Sequence, residues 1–206
     1  MSLQKYVAEL LATFSLAFAV SASLVNDLGM ITPIIAGLVL GLFVYTVGGV
    51  SGAHLNPAIT IALFTRKKIN GTDALLYIAS QFLGALLALQ LCMYLFGAEP
   101  AADMAGGTSV LVAEAIGCFF LAFGVAFAVH KGTADNSGIV VGGSLLLGIL
   151  VAAGASNGVV NPAVSIAVGG LSSISLTYLL APIVGAVGAM WLYDYLVATP
   201  KKAKKK

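Results

Sequence analysis

Charge is what this sequence has least of. Of 206 residues, 9% are Asp, Glu, Lys or Arg against 60% hydrophobic, and the mean hydropathy is +1.04. A domain clothed in water carries about a quarter charged residues, so an ordinary soluble fold is excluded, and so is a disordered chain. Cysteine is almost missing as well. Cys92 and Cys118 both sit inside apolar runs, which excludes a disulfide-stapled scaffold and leaves no metal or cofactor site to expect. No His-Glu-x-x-His run or serine-nucleophile signature appears, so no enzyme is expected, and no nucleic-acid partner either. What is there is apolar length. A bilayer crossing takes about 20 residues, so the chain holds at most about seven or eight helices and leaves no stretch for a soluble domain.

The few charges punctuate that length. The basic residues are Lys5, Arg66-Lys67-Lys68, Lys131 and the terminal Lys201, Lys202, Lys204, Lys205 and Lys206; between them lie Asn26-Asp27 and the stretch 97–108 with Glu99 and Asp103. Six apolar segments fit, roughly 3–25, 31–50, 74–97, 109–130, 138–157 and 175–198. With both termini cytoplasmic, every Lys and Arg then lies on the cytoplasmic face, as the positive-inside rule expects. Two further apolar stretches, 56–65 and 161–170, are each about ten residues, or roughly 15 Å of helix, half the hydrocarbon thickness. If the first crossed, Arg66-Lys67-Lys68 would land outside. Both are therefore expected to be half-helices that enter and leave on one side. The run after Lys5 resembles a signal peptide only superficially, being too long and carrying Glu9. The Lys-rich tail 199–206 reads as a topology-setting cytoplasmic end, with binding to anionic headgroups as the alternative.

Self-similarity organises the rest. The stretch Ala8–Val20 aligns with Ala113–Val125, matching Glu9 to Glu114, and Asn56-Pro57-Ala58 aligns with Asn161-Pro162-Ala163; both pairs are 105 residues apart. Repeat 1 spans about 3–97 and repeat 2 about 109–198, in one transmembrane unit. Each copy holds three crossings and one half-helix. Three is odd, so the second copy is inverted, and the half-helices meet near the midplane from opposite faces. Asn is a favoured N-cap, and proline suits the first helical turn. The centre thus receives two helix N-termini, each worth about half a positive charge, and two amides, Asn56 and Asn161, able to donate hydrogen bonds. Gly-rich stretches, 48–54 and 154–158, precede the half-helices. Irregular backbone at that depth lines a cavity or is buried in protein, and its carbonyls, at Gly52, Ala53, His54, Asn157 and Gly158, would form a ladder of acceptors. A neutral solute is served by this path; a cation is repelled at its centre.

At these residues, and above all at Ser51-Gly52-Ala53-His54-Leu55-Asn56-Pro57-Ala58-Ile59-Thr60, the sequence resembles the major intrinsic protein family, the aquaporins and glycerol facilitators. The resemblance implies an all-α membrane fold of six transmembrane helices and two re-entrant half-helices. It also implies a passive channel in each subunit of a homotetramer in the cell membrane, and Asn56 and Asn161 as constriction amides. By the same resemblance Glu9 and Glu114 hold the re-entrant loops, and Gln81 matches the family's third-helix glutamine. One position departs. The family usually places Arg directly after the second box, where this chain has Val164. The other filter positions carry over to Ala36, Ile149 and Gly158, all small or apolar, which implies a wide, uncharged outer mouth passing glycerol-sized solutes with water. Ser165 and Tyr178 match water channels, whereas Leu179 stands where they usually have Trp.

Alternatives stay open at several residues. Glu9 and Glu114 could instead be proton carriers of a coupled secondary transporter, and His54 could gate by protonation rather than sit in a fixed hydrogen bond. A non-conducting structural protein is the third reading. Gly37 with Gly41, and Gly84 with Ala88 against Gly185 with Ala189, are expected to pack helices closely. Tyr6, Trp191, Tyr193 and Tyr195 are expected as interfacial anchors, with His130 also interfacial.

Overall fold

Long apolar runs interrupted only by scattered charges such as Glu9, Glu114 and Asp194 become helices, because only a helix satisfies its own backbone in hydrocarbon. In a computed structural model, which describes residues 3–100, 102–131, 137–169 and 175–198, these are α1 (Leu3–Val25), α2 (Ile31–Ser51), α4 (Gly71–Phe96), α5 (Thr108–Lys131) and α8 (Leu176–Val197). All five are long and apolar enough to cross a membrane. A sixth, α6 (Ser137–Ala152), is shorter at 16 residues, about 24 Å at 1.5 Å per residue. The half-helices α3 (Pro57–Thr65) and α7 (Pro162–Gly169) have 9 and 8 residues. No strand occurs among the described residues. The chain is an all-α, multi-pass membrane protein.

The sixth apolar segment ends earlier than 157. Beyond Ala152 the chain leaves the helix in a tight turn, with Ala155 and Ser156 N–H both donating to the Ala152 carbonyl at 3.0 Å. From Asn157 on the amides go to side-chain oxygens: Asn157 N–H to the Tyr178 hydroxyl, Gly158 N–H to Ser156 Oγ, and Val159 and Val160 N–H to Glu114. Hydropathy does not distinguish an apolar helix from a small-residue turn that leaves it.

Close crossings hold the bundle. Gly37 of α2 lies against Gly142 of α6, and Gly41 against Gly138; a Cβ on Gly37 would stand 2.7 Å from the Gly142 carbonyl oxygen. Gly37 and Gly142 are repeat counterparts, 105 residues apart, so α2 and α6 cross on the axis that relates the two halves. Gly84 and Gly185 do not face each other. Gly84 packs on Leu10 and Phe14 of α1, Gly185 packs on Ala115 of α5, and α4 and α8 make no contact among the described residues. Each half thus closes its first helix against its last.

The described basic residues gather at one end of the bundle, where α1 and α4 begin and α3, α5 and α8 finish. Asp73 there accepts from Lys5 Nζ and the Tyr6 hydroxyl, both at 2.6 Å, and Arg66 makes a two-pronged ion pair with Asp194 of α8. Trp191 Nε1 donates to Thr65 Oγ1 at 3.1 Å, and Tyr195 is exposed. Tyr193 is no surface anchor. It is buried edge-on against Phe123 and His130, because its face of α8 turns toward α5. The tail 199–206 lies outside the described residues.

Asn70 caps α4, its side chain accepting from Asp73 N–H at 2.9 Å while its amide donates to the Asp73 carboxylate at 2.7 Å. Asn70→Ala removes both bonds and is expected to cost about 1 kcal/mol. A lower melting temperature in detergent, with solute flux retained, checks it.

Candidate functional site

Each half-helix starts where an asparagine turns its side chain onto the first turn. Asn56 Oδ1 accepts from Ala58 N–H at 2.9 Å, and Asn161 Oδ1 accepts from Ala163 N–H at 3.0 Å. The Nδ2 groups reach across to the other half: Asn56 donates to the Val160 carbonyl and Asn161 to the Leu55 carbonyl, both at 2.9 Å. Two N-termini therefore meet head to head, each tied to the loop that enters its opposite. An amide carries two N–H groups, so one on each asparagine remains to donate elsewhere.

The loops are held by the buried glutamates. Glu9 accepts from Ser51 Oγ, His54 N–H, Leu55 N–H and Gln81 Nε2 at 2.7 to 2.9 Å. Glu114 accepts from Ser156 Oγ, Val159 N–H and Val160 N–H at 2.6 to 2.9 Å. Every one of these contacts except that of Gln81 recurs 105 residues on, where Ala186 stands in place of the glutamine. Four donors on Glu9 match the acceptor capacity of an ionised carboxylate.

That anchoring aims the carbonyls. In a trans peptide the C=O points opposite to the N–H of the next residue, and there are no cis bonds among the described residues. Since the amides of 53, 54 and 55 point at Ser51 Oγ and Glu9, the carbonyls of Gly52, Ala53 and His54 point away from them. In the second loop the carbonyls of Asn157, Gly158 and Val159 do the same. Val159 has no place in the sequence-based set, because its apolar side chain draws no attention; its alignment with His54 was the available signal. The geometry requires left-handed backbone at Ala53, Leu55, Gly158 and Val160. For Leu55 and Val160 this is strained, and the glutamates hold it.

The loops differ in what surrounds them. His54 Nδ1 lies 3.0 Å from Thr60 Oγ1, which also receives Gln81 Nε2 at 2.9 Å, and Tyr77 packs edge-on to the imidazole. At the corresponding places the second half has Val159, Ser165 and Ala186. The Asn157 amide instead donates to the Asp103 carbonyl and, at 3.0 Å, to the Tyr178 hydroxyl.

On the side of this second loop a cavity of about 100 Å³ opens, bringing together Ala36, Ile149, Gly158 and Val164 with Asn161. Asn56 is not part of its wall. A sequence model of the family described as Major intrinsic protein matches residues 1–193. The chain belongs to the major intrinsic protein family. Nodulin-26 of Glycine max is 37% identical over 217 residues, covering 97% of this chain and 80% of its own length. Glycerol uptake facilitator protein-like 6 of Lactiplantibacillus plantarum is 35% identical over 206 residues, covering 90% and 94%. Aquaporin NIP1-1 of Oryza sativa is 33% identical over 220 residues, covering 98% and 78%. The solved aquaglyceroporin from Plasmodium falciparum superposes with a TM-score of 0.73 over 95% of this chain and 96% of its own, at 21% identity, and so shares the fold. In this major intrinsic protein the cavity wall carries no charged side chain among the described residues, and Val164 and Ala36 are 4% and 1% exposed.

Proposed function

We propose that the chain is a passive channel for water and small neutral solutes such as glycerol. The observation that carries this is the meeting of the two half-helices, with one unspent amide N–H on each of Asn56 and Asn161 and carbonyl edges turned from the glutamates. A solute that both accepts and donates is passed along; cations meet two positive helix ends. The relatives named as an aquaporin and a glycerol uptake facilitator support the same reading. Ala36, Ile149, Gly158 and Val164 act as the outer filter. Glu9, Glu114 and Gln81 act as supports for the loops. Residues 1–206 work as one unit of two inverted repeats with a Lys-rich tail, and basic residues at one end support cytoplasmic termini. Family resemblance and the exposed apolar groove between α2 and α6, which includes Ile34, Leu38 and Leu42, support a homotetramer.

Stopped-flow light scattering on proteoliposomes tests the reading with water, glycerol, urea and ammonia. Water and glycerol are expected to cross faster than in empty vesicles, without saturation and without dependence on proton or sodium gradients. Saturable, gradient-driven flux would point to a coupled transporter, and no flux at all to a structural role. Val164→Arg is expected to reduce glycerol flux more than water flux; an unchanged ratio would show that residue 164 does not line the constriction.

A further inference from the structure

The cavity at the outer filter accepts hydrogen bonds but has almost none to give. Its wall is built from Leu16, Val20, Ala36, Leu145, Ile149 and Val164, with the backbone of Gly158 among them. The carbonyls of Asn157 and Gly158 are acceptors only. The Asn157 amide, the one side-chain amide besides Asn161 among the described wall residues, is already committed to Asp103 and Tyr178. Asn161 has spent one N–H on Leu55 and keeps one, at the deep end. Thr32 is left with a hydroxyl on the wall that takes part in a bond with Ser23 Oγ at 3.0 Å.

A polar solute entering such a space loses water contacts that the wall does not replace, and this costs it in proportion to its unmatched acceptors. An apolar group on the same solute gains from leaving water and touching Val164, Ile149 and Leu16. We propose that the outer filter ranks solutes by dehydration and not by recognition, so that small neutral amides pass faster as methyl groups are added, against the trend that size alone would set. The proposal rests on the channel reading above.

The ureas test this, since methylation leaves the one carbonyl acceptor unchanged while adding bulk, which would slow passage, and apolar surface, which would speed it. In proteoliposomes, after subtraction of empty-vesicle rates, methylurea is expected to permeate about two- to fourfold faster than urea, and 1,3-dimethylurea at least as fast as methylurea, from the transfer of a methyl group out of water. Val164→Thr and, separately, Ala36→Ser add a hydroxyl to the wall with little change of volume. Each is expected to lower the methylurea-to-urea ratio by about twofold, the reverse of that transfer preference. Protein-dependent water flux with urea faster than methylurea would overturn the proposal and leave the channel reading standing. If neither water nor any urea crossed faster than in empty vesicles, the channel reading would fall, and the proposal with it.

Discussion

Glu114→Gln is expected to lose the second loop and with it all protein-dependent flux. One carboxylate oxygen of Glu114 receives Ser156 Oγ and Val159 N–H, and the other receives Val160 N–H. A glutamine offers one oxygen and one NH2. Whichever way it turns, a backbone N–H faces another N–H in a site that is 0% exposed. An orphaned buried donor costs about 1–3 kcal/mol, and loss of the charge-assisted bonds adds to it, so the total is about 3 kcal/mol or more. Glu9→Gln is expected to be milder, because Gln81 can turn its own oxygen toward the new amide and relieve one conflict. Melting temperature in detergent, with water flux in liposomes, checks both. A Glu114→Gln protein of normal stability that had lost only a proton dependence would instead support a proton carrier.

Gly185→Ala is expected to separate α8 from α5, whereas Gly188→Ala, one turn on, is expected to be neutral or slightly stabilising. A Cβ at 185 would fall on the backbone oxygen of Ala115, an atom that moves only if the whole helix moves. At 188 it would meet nothing within 4 Å. Overpacking costs about 1–3 kcal/mol when side chains can adjust, so backbone against backbone lies at the upper end. The same two measurements serve. Equal melting temperatures for the pair would show that the α5–α8 crossing tolerates a wider gap.

The six crossings and both half-helices were legible because hydropathy length and the Asn-Pro caps are local signals. The link between Glu9 and its loop was legible through the family resemblance, and the repeat supports it: 114 stands to 159 and 160 as 9 stands to 54 and 55. Where the halves diverge, that signal fails. Tyr178 reaching Asn157, Arg66 pairing with Asp194 and the burial of Tyr193 each depend on which face of α8 turns inward. The last span is apolar nearly all round, so its sequence carries little directional information. The early end of α6 was hidden for a related reason, since the Ala and Gly at 153–155 suit a tight turn as well as a helix.

The crossed amides at the centre also bear on how the protein is made. Asn56 finds its acceptor at residue 160, and the Leu55 carbonyl finds its donor at residue 161, so more than a hundred residues must follow before either bond can form. The first three crossings and their half-helix can insert as they emerge, but the end of that half-helix stays incomplete until the second half has threaded the bilayer in the opposite sense. Assembly is thus a closing of two partly finished halves on one another, and the bonds between the two half-helix ends cannot form before both halves are present.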